Sequence, residues 1–72
     1  MENQYKIFVF KSTYLTFKAE RALKNAGLTC KVVTKPRDIS SDCGLAIRVS
    51  AADEPMVSGV MSNSGIASLG VW

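Results

Sequence analysis

The 72-residue chain contains no histidine. That absence removes imidazole as a general base, and with it hydrolysis by a histidine-activated nucleophile; it also removes zinc's commonest nitrogen ligand. Aromatic residues make up 8% of the chain, charged residues 21%, and there are two cysteines, Cys30 and Cys43. Two cysteines are too few for a disulfide scaffold, so reduced thiols are expected. No apolar run approaches the ~20 residues that span a bilayer. The opening Met1-Glu2-Asn3-Gln4 lacks the basic and apolar regions of a secretory leader. The expectation is a cytoplasmic protein, away from membranes and without a cofactor. Charge of one sign is also sparse. Nine basic residues against six acidic ones give a net charge of +3, with no block of five like charges. That balance favours weak contact with anions and does not specify nucleic acid.

What is present is enough apolar residue, 47%, to build one small core. A chain of this length buries only about 60% of the surface exposed when unfolded, so residues 1–72 are expected to form a single domain. Tyr5 to Phe10 is β-branched and aromatic and reads as a strand. Ser12 or Thr13 then caps a helix whose apolar stripe is Leu15, Ala19, Ala22, Leu23 and Ala26, closed by Gly27. Leu28 to Lys35 alternates Leu28, Cys30 and Val32 against Thr29, Lys31 and Val33, and Pro36 ends this second strand. Leu45 to Val49 resumes the alternation, with Leu45, Ile47 and Val49 on one face. Asp53-Glu54-Pro55 marks a second helix start with an acidic cap. Its stripe is Val57, Val60 and Met61, and it closes at Asn63-Ser64-Gly65. Ile66 to Trp72 is a weaker last strand.

The order β-α-β-β-α-β, with two right-handed crossovers, predicts an α+β fold: a two-layer ferredoxin-like sandwich whose antiparallel sheet carries both helices on one face. The opposite face is then open, and Phe8, Phe10, Lys31, Val33, Ala46 and Arg48 are expected on it.

The thiols differ in setting. Cys30 lies in the inward register of its strand and reads as a small buried hydrophobe. Cys43 ends the polar segment Pro36-Arg37-Asp38-Ile39-Ser40-Ser41-Asp42 and precedes Gly44, where the third strand starts. Gly44 permits positive φ or close backbone approach to a ligand. Ser40, Ser41 and the Gly44 amide are donors for an anionic sulfur, and Arg37 and Arg48 favour thiolate over thiol. Asp38 and Asp42 oppose that shift. From the residues alone, a reactive thiolate and an inert loop cysteine both fit.

The segment Pro36-Arg37-x-Ile39-Ser40-x-x-Cys43-Gly44-Leu45-Ala46-Ile47-Arg48 resembles the signature of the small selenium/sulfur carrier-like family. Phe8-Val9-Phe10-x-Ser12-Thr13, the Ala19-Glu20-x-x-Leu23-Lys24-x-Ala26-Gly27 helix end and Gly70-Val71 fit the same pattern. The resemblance implies a carrier or adaptor rather than a stand-alone enzyme, with Cys43 holding sulfur or selenium as a persulfide or selenosulfide. Its partners would be sulfur or selenium donor and acceptor proteins. The chain departs from the pattern in its second helix, which Pro55, Gly59 and Ser62-Asn63-Ser64 make shorter and poorer.

Other readings compete. RNA-recognition domains share this element order but need aromatics on the central strands, and Ala46 and Arg48 stand where the third strand would supply them. Soft-metal transfer favours paired thiolates, whereas Cys30 and Cys43 are thirteen residues apart. A non-catalytic interaction or regulatory domain is the main alternative: a homodimer through an open face bearing Phe8, Phe10 and Val33, with Trp72 adding to it and Cys43 structural. Tyr14 and Phe17 read as edge packing, Met56 and Met61 as core filler, and Glu20 with Lys24 as an i,i+4 pair.

Overall fold

The structure, a computed structural model, describes residues 4–36 and 44–72. In chain order the elements are β1 (Tyr5–Val9), α1 (Thr13–Asn25), β2 (Lys31–Thr34), β3 (Leu45–Ser50), a 3-10 turn (Ala51–Asp53), α2 (Glu54–Asn63) and β4 (Gly70–Val71). The strands form one sheet in the order β2-β3-β1-β4, and each neighbouring pair is antiparallel. The architecture is α+β, four antiparallel strands and two helices, compatible with a ferredoxin-like sandwich.

Each helix is cut to length by local chemistry. Ser12 caps α1, its hydroxyl accepting the Leu15 N–H at 3.2 Å, and its carbonyl accepts the hydroxyl of buried Thr16 at 3.1 Å. At the other end Gly27 adopts φ 80°, which lets Leu28 N–H donate to the Leu23 carbonyl and Gly27 N–H to that of Lys24. The second helix ends in the same motif: Gly65 at φ 70°, Ile66 N–H donating to Met61 and Gly65 N–H to Ser62. Both motifs drive an apolar residue, Leu28 or Ile66, back against the core. Asp53 is the first-turn boundary of α2 but makes no side-chain capping bond; Pro55 sits in the first turn, where its missing N–H costs nothing. The predicted poor helix does form, over ten residues.

The main core lies between the helices and one sheet face: Phe8, Phe10, Ile47 and Val49 meet Ala19 and Leu23 of α1 and Val57 and Met61 of α2, with Ile66 beside them. Leu28, Cys30 and Val32 pack at its margin, the inward register expected of the second strand. That strand begins at Lys31, three residues later than Leu28, and the last strand is confined to Gly70–Val71.

The open-face expectation is corrected on β1. Phe8 and Phe10 are 2% and 0% exposed and face the helices. Ile7 and Val9 take the opposite face with Val33 and Ala46, a second small cluster in which Val9 and Ala46 are fully buried. The physical reason is that Ile7-Phe8-Val9-Phe10 is apolar at every position, so alternation cannot assign faces; the deeper gap between sheet and helices takes the larger rings. Lys31, paired with Arg48, and Val33, paired with Ala46, share that second face as expected. Trp72 joins it too, because its backbone pairs with Ile7 through bonds of 2.7 and 2.9 Å. Met56, taken as core filler, is 55% exposed, whereas Met61 is buried.

Candidate functional site

The chain between β2 and β3 leaves one end of the sheet. There the Lys35 N–H donates to the Gly44 carbonyl at 2.9 Å, extending the β2–β3 ladder past Thr34↔Leu45. Of the predicted site residues, Arg37, Ser40, Ser41 and Cys43 lie outside the described residues; Gly44 and Arg48 lie within them. Gly44 does not adopt positive φ, which among the described residues only Gly27 and Gly65 do. Among the described residues, a Cβ at Gly44 would meet nothing within 4 Å. Among the described residues, then, neither a left-handed turn nor a close contact requires glycine here.

The structure does not bring Arg48 to Gly44. Four residue steps along the chain separate them, roughly 13 Å at the usual rise of ~3.3 Å. Arg48 stands opposite Lys31 and Ile7, and its guanidinium lies 4.4 Å above the Tyr5 ring, a cation–π contact. At that far end Tyr5, Arg48 and Ser50 share a cleft of about 110 Å³ with Cys30. The Cys30 thiol is free and half-buried; burial, then the Glu20 carboxylate, push its pKa up, and Lys24 pulls the other way. At neutral pH it is a thiol and a poor nucleophile, as the inward register implied.

Residues distant in sequence also reach the Gly44 end of the sheet. Val9 pairs with Ala46 and Tyr5 with Ser50, so β1 runs toward the end where Gly44 lies. The residues after β1, Lys11 and the Ser12-capped start of α1, therefore gather at the same end as Lys35, Pro36 and Gly44. A helix N-terminus carries partial positive charge and lowers the pKa of a nearby thiol, as do lysines. The crossover order β1-α1-β2 contained this signal: it obliges the beginning of α1 and the end of β2 to share a sheet end.

With Phe8 and Phe10 in the core, the only aromatic that β1 leaves on the second face is Tyr5, and Arg48 lies over its ring. The same two rings were the main support for a dimer through that face. Among the described residues no helix is long and apolar enough to cross a membrane.

An α+β fold with one helix N-terminus and two lysines at the Gly44 end of its sheet is thus in place. The family model described as "Putative Se/S carrier protein-like" matches residues 4–72, and the chain belongs to that family. No curated protein and no solved structure matches the chain.

Proposed function

We propose that the protein relays sulfur or selenium on Cys43. The observation that carries this reading is the family match across residues 4–72, which spans the Pro36–Arg48 segment and its cysteine. Support comes from the surroundings of Gly44, the neighbour of Cys43 in the chain. Lys11, the N-terminus of α1 and Lys35 converge on that end, and each favours a thiolate over a thiol. Arg37, Ser40 and Ser41, in the same segment, complete the set of anion-stabilising groups in this proposal, with the Gly44 amide. Arg48 is better assigned to the Tyr5 contact.

The relay is two thiol exchanges with no net oxidation. The Cys43 thiolate attacks the outer sulfur of a donor persulfide; the donor's S–S bond breaks, a new S–S bond forms on Cys43, and the donor leaves as its thiolate. An acceptor thiolate then attacks the outer sulfur on Cys43, taking it and releasing the Cys43 thiolate. Selenium transfer follows the same bookkeeping with an outer selenium. Cys30 precedes β2, at the opposite end of that strand from Lys35 and Gly44, and its raised pKa keeps it a thiol. In this proposal the acceptor is another molecule.

The test is mass spectrometry after incubation with a small-molecule persulfide (R–S–SH) or selenopersulfide (R–S–SeH) donor. Wild type and Cys30→Ser should each gain one sulfur or selenium, reversed by reductant, and Cys43→Ser should gain none. Equal labelling of Cys43→Ser, or labelling confined to Cys30, overturns the reading.

A further inference from the structure

The outer side of α1 is not the edge packing expected from sequence. Tyr14 is 72% exposed and Phe17 49%. With Lys18 and Arg21 they occupy positions i, i+3, i+4 and i+7, a single stripe along the helix. That stripe points away from Thr16, Ala19 and Leu23, which are fully buried. A groove of about 610 Å³ runs along it, lined among the described residues by Tyr14, Phe17, Lys18, Glu20 and Arg21. Charge on the helix is one-sided: its single carboxylate, Glu20, is held by Lys24 at 3.2 Å. Lys18 and Arg21 thus present positive charge beside two solvent-facing rings. The stripe begins at Tyr14, one turn from the sheet end that leads to Cys43.

We infer that this face of α1 docks an acidic segment of a partner protein that carries an apolar or aromatic anchor. Tyr, Phe and Arg grouped on an exposed patch are the side chains that dominate protein interfaces. The anchor would enter between Tyr14 and Phe17 while carboxylates pair with Lys18 and Arg21. Charge decides against the other occupants. A second copy would bring to this stripe two more cations and no carboxylate beyond the Glu20 held by Lys24, so it would leave Lys18 and Arg21 without an opposite charge. To a nucleic-acid strand the described lining offers two cations, Lys18 and Arg21, too short a track for a phosphate backbone. The surface stands on its own geometry; that its occupant is a sulfur or selenium donor or acceptor rests on the carrier reading.

The probe is a short fluorescent peptide of Glu and Asp flanking one Trp and two Leu, compared with its Gln/Asn counterpart and with a single-stranded oligo(dT). The acidic peptide should bind wild type, more weakly as salt rises, and the uncharged counterpart should not. Lys18→Glu with Arg21→Glu should weaken binding by about tenfold or more, and Tyr14→Ala with Phe17→Ala by a similar factor. All four positions are solvent-facing, and circular dichroism verifies that the variants fold. Cys43→Ser should bind as wild type does, so failure of the relay leaves the docking result intact. The inference is overturned by equal binding of the uncharged peptide, by tighter binding of oligo(dT), by binding unchanged in both double variants, by no binding of the acidic peptide, or by sedimentation showing a dimer that the charge reversal dissolves.

Discussion

Replacing Gly70 by alanine tests how the last strand is held. Gly70 lies opposite Val9, and the Trp72 ring folds back over it. A Cβ there would stand 2.8 Å from Cη2 and 3.0 Å from Cζ3 of the indole. Carbon contacts settle near 3.5–4.0 Å, so the ring must lift by roughly 0.7–1 Å. Trp72 is 50% exposed; its covered half is about 100 Å², near 2.5 kcal/mol at ~25 cal/mol/Å². Lifting the ring forfeits part of that, about 1–1.5 kcal/mol. Against this, alanine is favoured over glycine in a strand by roughly 0.5–1 kcal/mol, and the Gly70 backbone is not in the left-handed region. Gly70→Ala should therefore destabilise by only about 0.5 kcal/mol in the wild type. In a Trp72→Ala background, where no ring stands in the way, it should stabilise by about 0.5–1 kcal/mol. The decisive quantity is the coupling, about 1–1.5 kcal/mol, read from urea unfolding of the four proteins by far-ultraviolet circular dichroism. The chain's single tryptophan gives a second readout: its emission should move to the red in Gly70→Ala as the indole gains solvent. Equal effects of Gly70→Ala in both backgrounds would refute the reasoning.

Two further predictions concern positions that sequence alone misjudges or leaves open. Phe8→Ala should cost about 3–4 kcal/mol and Ile7→Ala about 1–2 kcal/mol, both measured by urea unfolding; the reverse order would return Phe8 to the second sheet face. The Cys30 thiol, raised above its ordinary value of 9.0 by burial and Glu20, should be alkylated in Cys43→Ser more slowly than a free cysteine at pH 8, with its rate still rising above pH 9.0. The sign for stability follows: the protonated thiol is favoured in the folded state, so this contribution is fully present below pH 9.0 and fades as pH rises through the folded value. An alkylation midpoint at or below 9.0 would contradict the assigned burial and charge.

Much of the fold was legible because the signals were local. Ser12 before an apolar stripe and Gly27 after it bracket α1, and the inward positions Cys30, Val32, Ile47 and Val49 follow from alternation on strands that have one polar side. Where both sides are apolar, as in Ile7-Phe8-Val9-Phe10, alternation carries no information and the face was misassigned. Exposure of Tyr14 and Phe17 was also illegible, since an aromatic at the edge of a helical stripe looks alike whether a neighbour covers it or solvent does. For the candidate site, the residue types around Cys43 and Gly44 were readable, but their spatial company was not. Arg48, four positions along the chain, belongs to the other end of the sheet, while Lys11, more than thirty positions away, belongs to the Gly44 end.

Sequence by itself determined the element order, the helix boundaries, the inward Cys30 and the family of the chain, because capping, periodicity and contiguous motifs are properties of neighbouring residues. Tertiary structure alone decided which face of β1 meets the helices and that Arg48 lies over Tyr5. Those are relations between distant segments, set by how strands pair and where the largest side chains find room.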